Sequence, residues 1–140
     1  MRIVVDTSVF VNAVLGREGS ASRQVLRHCL LRELQPMMGI ALFLEYEDVT
    51  HRPELTKRSP LTATEIDELL DAFASVCQWT NIYYLWRPNL TDEGDHHLLE
   101  LAVASGAEAI VTQNVRHLRS GELQFPQIQI LRPADLLKEL

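Results

Sequence analysis

The chain has two cysteines in 140 residues, Cys29 and Cys77, and they stand alone. With no Cys-x-x-Cys pair, each reads as a buried thiol and no disulfide is expected in a reducing compartment. No apolar run approaches the roughly 20 residues needed to span a bilayer. A charged leader followed by an apolar core and a small-residue cleavage site is also missing, so no secretory signal is read and a cytoplasmic location without membrane attachment is expected. Positive charge is in short supply: the formal net charge is -6. That argues against a broad basic surface for nucleic acid, but not against an enzyme that meets phosphates through bound cations. No glycine-rich phosphate loop occurs, and no Gly-x-Ser-x-Gly nucleophile elbow. Nor is there an internal repeat, a low-complexity tract or a linker, so residues 1–140 are expected to form one domain. Apolar residues make up 46% of the chain, enough for a real core.

What is present begins with Met1-Arg2-Ile3-Val4-Val5-Asp6-Thr7-Ser8-Val9-Phe10-Val11-Asn12. Ile3, Val4 and Val5 suit a strand buried on both faces, as in a parallel sheet. Asp6 follows at once, at the edge where open α/β sheets bind ligands. It reads either as a metal-binding carboxylate or as a plain cap between strand and helix. Thr7 and Ser8 can cap a helix that buries Val9, Phe10 and Val14.

Gly16 to Gly19 reads as a loop, and Ser20 or Ser22 can cap a helix carrying Val25, Leu26, Cys29 and Leu30 inward. Gln35-Pro36 is expected to end that helix, followed by a short strand near Met37 to Ile40 and a helix from about Ala41 to His51. At about 100° per residue, Leu42, Glu45, Tyr46 and Val49 share a face of it, and Glu47 and Asp48 point away. An inward carboxylate needs a partner, which a cation, a buried arginine or a backbone amide can supply. Lys57-Arg58-Ser59-Pro60 reads as a basic loop. Thr62-Ala63-Thr64-Glu65 has capping-box spacing ahead of Ile66, Leu69, Leu70, Phe73 and Cys77, and Ile82 to Leu85 could be another strand. Then comes an acid-rich stretch, Asp92-Glu93-Gly94-Asp95-His96-His97, at the start of a helix stopped by Gly106. Asp95 falls on the inward stripe with Leu98, Ala102 and Ser105. Adjacent histidines project about 100° apart and do not chelate as an i, i+4 pair would, so zinc is not expected here. Ala107 to Thr112 reads as a strand, with Gln113-Asn114 just past its end. A last strand at Ile128 to Leu131 and a short helix opened by Pro133 complete the pattern.

Strand and helix alternate in the manner of an α/β layer fold. Asp6, Glu45, Asp95 and Asn114 offer oxygen donors of the kind that hard cations such as Mg²⁺ or Mn²⁺ take. Clustered carboxylates repel unless cations lie between them.

Taken together, four segments resemble the PIN domain, in particular the toxin ribonucleases of bacterial toxin–antitoxin pairs (VapC-type and related). They are Val4-Val5-Asp6-Thr7-Ser8-Val9, Leu44-Glu45-Tyr46-Glu47-Asp48-Val49, Asp92-x-x-Asp95-x-x-Leu98-Leu99-Glu100-Leu101-Ala102 and Ile110-Val111-Thr112-Gln113-Asn114-Val115-Arg116-His117-Leu118. The resemblance implies a three-layer αβα sandwich around a mainly parallel, Rossmann-like sheet of about five strands. It implies a Mg²⁺- or Mn²⁺-dependent endoribonuclease in which Asp6, Glu45 and Asp95 are the main acids and Asp92 an additional one. Ser8 matches the small polar residue that orders the first site. Asn114 stands where many members have a fourth Asp; it offers a carbonyl oxygen but no charge. The implied partners are RNA, a small antitoxin protein and a second copy of the chain. Ser8, Thr112 and Arg116 are the candidate substrate contacts. Arg116 and Arg87 can steady an RNA backbone, although surface ion pairing is the commoner role of such residues. Two other functions compete: a catalytically weak PIN fold that binds RNA or protein, and another α/β phosphohydrolase with Asp6 as nucleophile. In the haloacid-dehalogenase-like form of the latter, a second Asp belongs where Ser8 stands.

Overall fold

Ile3, Val4 and Val5 have essentially no exposed surface. Such a strand must be covered on both faces and paired on both edges, and the computed structural model shows how. It describes residues 1–16, 20–81, 96–119 and 127–140. Among these, the elements run β1 (Arg2–Val5), α1 (Thr7–Leu15), α2 (Ala21–Leu30), β2 (Gln35–Met38), α3 (Ile40–Thr50), α4 (Pro53–Arg58) and α5 (Ala63–Val76). They continue with β3 (Gln78–Trp79), α6 (His96–Ser105), β4 (Ala109–Val111), α7 (Val115–Arg119), β5 (Gln129–Leu131) and α8 (Pro133–Leu137).

All five strands are parallel, in the order β3-β2-β1-β4-β5. The chain lays strands outward from β1 on one side, then crosses back to lay β4 and β5 on the other. The order therefore reverses between β1 and β4, the switch point where open α/β sheets leave a crevice at their carboxyl edge. Helices cover the sheet in the three-layer αβα arrangement, with α6 lying against β1, β2 and β4, and α5 against β2. Phe10, Tyr46 and Phe73 meet in the core, Phe10 and Tyr46 edge to face with centroids 5.3 Å apart. Burying three aromatic rings contributes several kcal/mol of apolar transfer energy.

Local chemistry explains the element ends. Ser20 caps α2 by accepting from the Arg23 N–H, and Thr62 and Glu65 form the complete reciprocal capping box of α5. Helix α6 stops at Gly106, whose φ of +70° is the left-handed region. The Ala107 N–H reaches the Ala102 carbonyl and the Gly106 N–H that of Val103, the paired bonds of a Schellman stop. The same two bonds close α2, from Glu33 to His28 and from Arg32 to Cys29. There the left-handed residue is Arg32, at φ 63°.

Several boundaries differ from the sequence expectation. Gln35-Pro36 does not end α2, which stops at Leu30; the two residues open β2. A proline is tolerated there because Gln35 bonds back to Met1, the residue before β1. Alternation then turns the missing Pro36 N–H toward β3, whose pairing begins only opposite Met37. Lys57 and Arg58 are not loop but the last turn of α4, where Pro53 at the first helical turn starts a new helix rather than a linker. Thr7 and Ser8 lie inside α1 rather than capping it. Strand β3 is two exposed residues and leaves no apolar signature. The expected strand at Ile82 to Leu85 lies outside the described residues.

Candidate metal centre

The register of β1 and β4 brings distant residues together. Val5 pairs with Val111, so Asp6 and Thr112 are neighbours although 106 positions separate them. The Asp6 N–H donates to the Val111 carbonyl at 2.9 Å, carrying the ladder one bond past the strand. Asp6 has the extended backbone of an N-cap, yet its side chain makes no capping bond. Its carboxylate turns to β4 instead. Oδ2 accepts from Ser8 Oγ at 2.7 Å and from Thr112 Oγ1 at 2.7 Å. An ionised carboxylate can only accept, so both hydroxyls donate to it, and both are steadied from behind. A backbone N–H can only donate, and the N–H groups of Gln113 and Asn114 point at Ser8 Oγ and Thr112 Oγ1, each at 3.0 Å. Each hydroxyl has one proton to give, and both protons go to the same Asp6 oxygen. Among the described residues no hydrogen bond reaches Oδ1.

Glu45 approaches from α3. Its Oε1 accepts from Thr7 Oγ1 at 2.7 Å, so the residue beside Asp6 holds the second carboxylate. Its Oε2 lies 2.7 Å from His97 Nε2 on α6. The Glu45 side chain is 36% exposed and that of His97 17%. The His97 bond, helped by Thr7, holds the Glu45 carboxyl below the ordinary carboxylate range, and it outweighs partial burial, which acts the other way. Tyr46, the next residue, donates from its buried hydroxyl to the Val5 carbonyl at 2.7 Å. Burial pushes that phenol well above its usual value, and the nearby charges of Asp6 and Glu45 push the same way. The wall between β1 and α3 is thus lined by two acids and a neutral phenol.

Of the residues expected from the sequence, Asp6, Glu45, Ser8 and Thr112 lie at this edge, but Thr112, read as a substrate contact, is completely buried and donates to Asp6 instead, and Ser8 turns its hydroxyl to the same carboxylate. Asn114 is exposed on the following turn, its N–H held by Thr112, and Arg116 is exposed on α7. Asp92, Asp95 and Arg87 lie outside the described residues, and among those described no three His, Cys, Asp or Glu side chains form a metal-binding group. The donors that are present fit a hard dication: two carboxylates, one with an oxygen free of hydrogen bonds among the described residues. Thr7 and His97 were not anticipated as site residues. His97 could have been found, since it lies four residues before the buried Leu101 and so turns toward the core. Thr7 carried no signal, because a threonine that opens a helix is ordinary.

An open, all-parallel sheet that reverses its strand order at β1 and β4 is an α/β fold with a crevice at its carboxyl edge. Within that class the chain belongs to the PIN domain family, whose model matches residues 2–116. No curated protein matches it. Among solved structures it resembles the crystal structure of VapBC2 from Rickettsia felis bound to a DNA fragment from their promoter, with a TM-score of 0.58 and 14% identity. The alignment covers 93% of this chain and 97% of that one, a likeness of fold. Among the described residues no helix is long and apolar enough to cross a membrane.

Proposed function

We propose that this chain is a divalent-metal-dependent endoribonuclease, the toxin of a toxin–antitoxin pair. The observation that carries the reading is the Asp6–Glu45 arrangement, two carboxylates presented at the switch-point edge of a PIN domain. Asp6 and Glu45 would hold Mg²⁺ or Mn²⁺, with Asp95, Asp92 and the Asn114 carbonyl oxygen as the further proposed ligands. The bound ion supplies a polarised phosphate oxygen and a water acidified toward neutrality. The chain's own part is preorganisation. Ser8 and Thr112 fix the Asp6 rotamer, and Thr7 and His97 fix Glu45, so that neither carboxylate must be ordered at the moment of binding. Arg116 is exposed nearby and would meet the RNA backbone electrostatically. A small antitoxin partner is supported by the fold-level likeness to a VapBC2 structure; a homodimer and a cytoplasmic location belong to the same proposal.

The test is RNA cleavage with Mn²⁺ and with EDTA, comparing wild type with Asp6→Asn, Glu45→Gln and Asp95→Asn. Cutting that stops with EDTA and falls at least about a hundredfold in each variant is the expected result, since loss of the charges that bind and organise such a site removes several kcal/mol of transition-state stabilisation. Undiminished cutting by the variants ends the proposal. Asn114, uncharged where many relatives carry an acid, favours a second reading, a PIN fold that binds without cutting. A Mn²⁺ titration with no detectable binding would select it.

A further inference from the structure

One polar group lies outside the acidic site and is used by nothing in the reading above. Ser22 sits in the first turn of α2 with 1% of its surface exposed. It does not cap its helix, because Ser20 does. It lies on the inward side with Val25, Leu26 and Cys29, where a hydroxyl is costly unless its bonds are made. Its acceptor side is filled by two side-chain amides. Asn12 Nδ2 donates to Ser22 Oγ at 3.2 Å from α1, and Gln113 Nε2 at 3.1 Å from the turn after β4. Both lone pairs of one buried oxygen are thereby filled. Gln113 is then tied at two points, by its side chain to Ser22 and by its backbone N–H to Ser8 Oγ. That second bond steadies the Ser8 hydroxyl, which donates to Asp6.

We propose that Ser22 is a positioning residue for the metal centre: by anchoring the Gln113 side chain it holds the 113–114 turn so that its N–H groups steady the Ser8 and Thr112 hydroxyls that donate to Asp6. The chain of bonds runs from α2 through the turn to α1 and ends on the carboxylate, so three separate elements are locked in one arrangement. Asn12, one helical turn beyond Ser8, ties α1 to the same oxygen and fixes the distance between the two. The role rests on the metal-site reading for its function but not for its geometry.

Amide hydrogen exchange on the full chain, without metal, reads the geometry. In Ser22→Ala the Gln113 amide should exchange up to roughly tenfold faster, the effect of one lost hydrogen bond, relative to the sheet amides of Val5 and Ile110. Gln113→Met, which keeps the length and removes the donor on a part-exposed residue, should leave the fold intact and free the turn in the same way. The double variant should be no faster than either alone. A purely structural serine would raise all rates together, and that result overturns the proposal, as does an unchanged Gln113 amide. Mn²⁺ affinity then reads the function: wild type binds, and both single variants bind several-fold more weakly. Equal affinity in wild type and variants overturns the positioning role alone. A wild type that binds no Mn²⁺ overturns the metal reading, and the positioning role with it.

Discussion

Replacing Thr112 by valine tests whether the hydroxyl pair is what holds Asp6. Thr112 is completely buried, and valine has its shape. The exchange removes the donor to Asp6 Oδ2 and strips the Asn114 N–H of its acceptor. A hydrogen bond to a charged group contributes about 1.5–3 kcal/mol, while the freed N–H of the exposed Asn114 can turn to water and adds little. The expected destabilisation is about 2–3 kcal/mol. Thr112→Ser keeps both bonds and loses one buried methyl group, for about 1 kcal/mol. In a chain of this size 1 kcal/mol moves Tm by about 3 °C, so valine should melt about 6–9 °C below wild type and serine about 3 °C below. Urea unfolding with an unchanged slope would confirm that the folded state, not the unfolded one, has changed. The same pair should separate in a Mn²⁺ titration, with serine near wild type and valine much weaker. Valine as stable as serine would refute the account, because packing and not the hydroxyl would then be holding the site.

Three further outcomes follow from the same network of contacts. His97→Ala removes the main cause of the lowered Glu45 carboxyl, so ¹³C NMR should find Glu45 titrating at higher pH than in wild type. A depressed folded-state value stabilises above the ordinary carboxylate range and is lost as pH falls through it; the stability gap between wild type and variant should therefore be widest at neutral pH and close in acid, and a gap independent of pH would contradict this. Tyr46→Phe keeps the ring contacts with Phe10 and Phe73 but leaves the Val5 carbonyl without its 2.7 Å donor, and should cost at least about 1 kcal/mol in urea unfolding. Arg32→Gly should raise stability by about 0.5 kcal/mol, the relief of left-handed strain less the entropy of a glycine; a loss by calorimetry would mean the Arg32 side chain contributes more than its backbone costs.

Elements with a dense apolar signal were legible in the sequence. The Ile3–Val5 run gave a doubly buried strand, and the spacing around Leu42 and Tyr46 put Glu45 on the inward face with Glu47 and Asp48 outside, as the structure has them. The capping box at Thr62 and the stop at Gly106 are local chemistry and appear as written. Pro36 misled because proline usually interrupts, and only the short reach of its neighbour β3 makes it harmless. The inner contacts of the site were illegible for a different reason. Thr7, Ser22 and Gln113 act through the bonds Thr7–Glu45 and Gln113–Ser22, 38 and 91 positions apart, and helical spacing turns His97 inward without naming Glu45, 52 positions away, as its partner. No periodicity encodes such pairings; they exist only once the sheet has set its register.

The order of the strands also bears on when the acid pocket can first exist. β1 is the opening segment of the chain, but the neighbour that completes its far edge is β4, and Asp6 waits 106 residues for Thr112. At a translation rate of about 5–20 residues per second, the carboxylate spends on the order of ten seconds with Ser8 but without the Thr112 half of its hydroxyl clamp while the chain is being made. A nascent or prematurely ended polypeptide that stops before Thr112 carries the aspartate but not the whole clamp that aims it. Assembly of the pocket therefore waits until synthesis has passed Thr112.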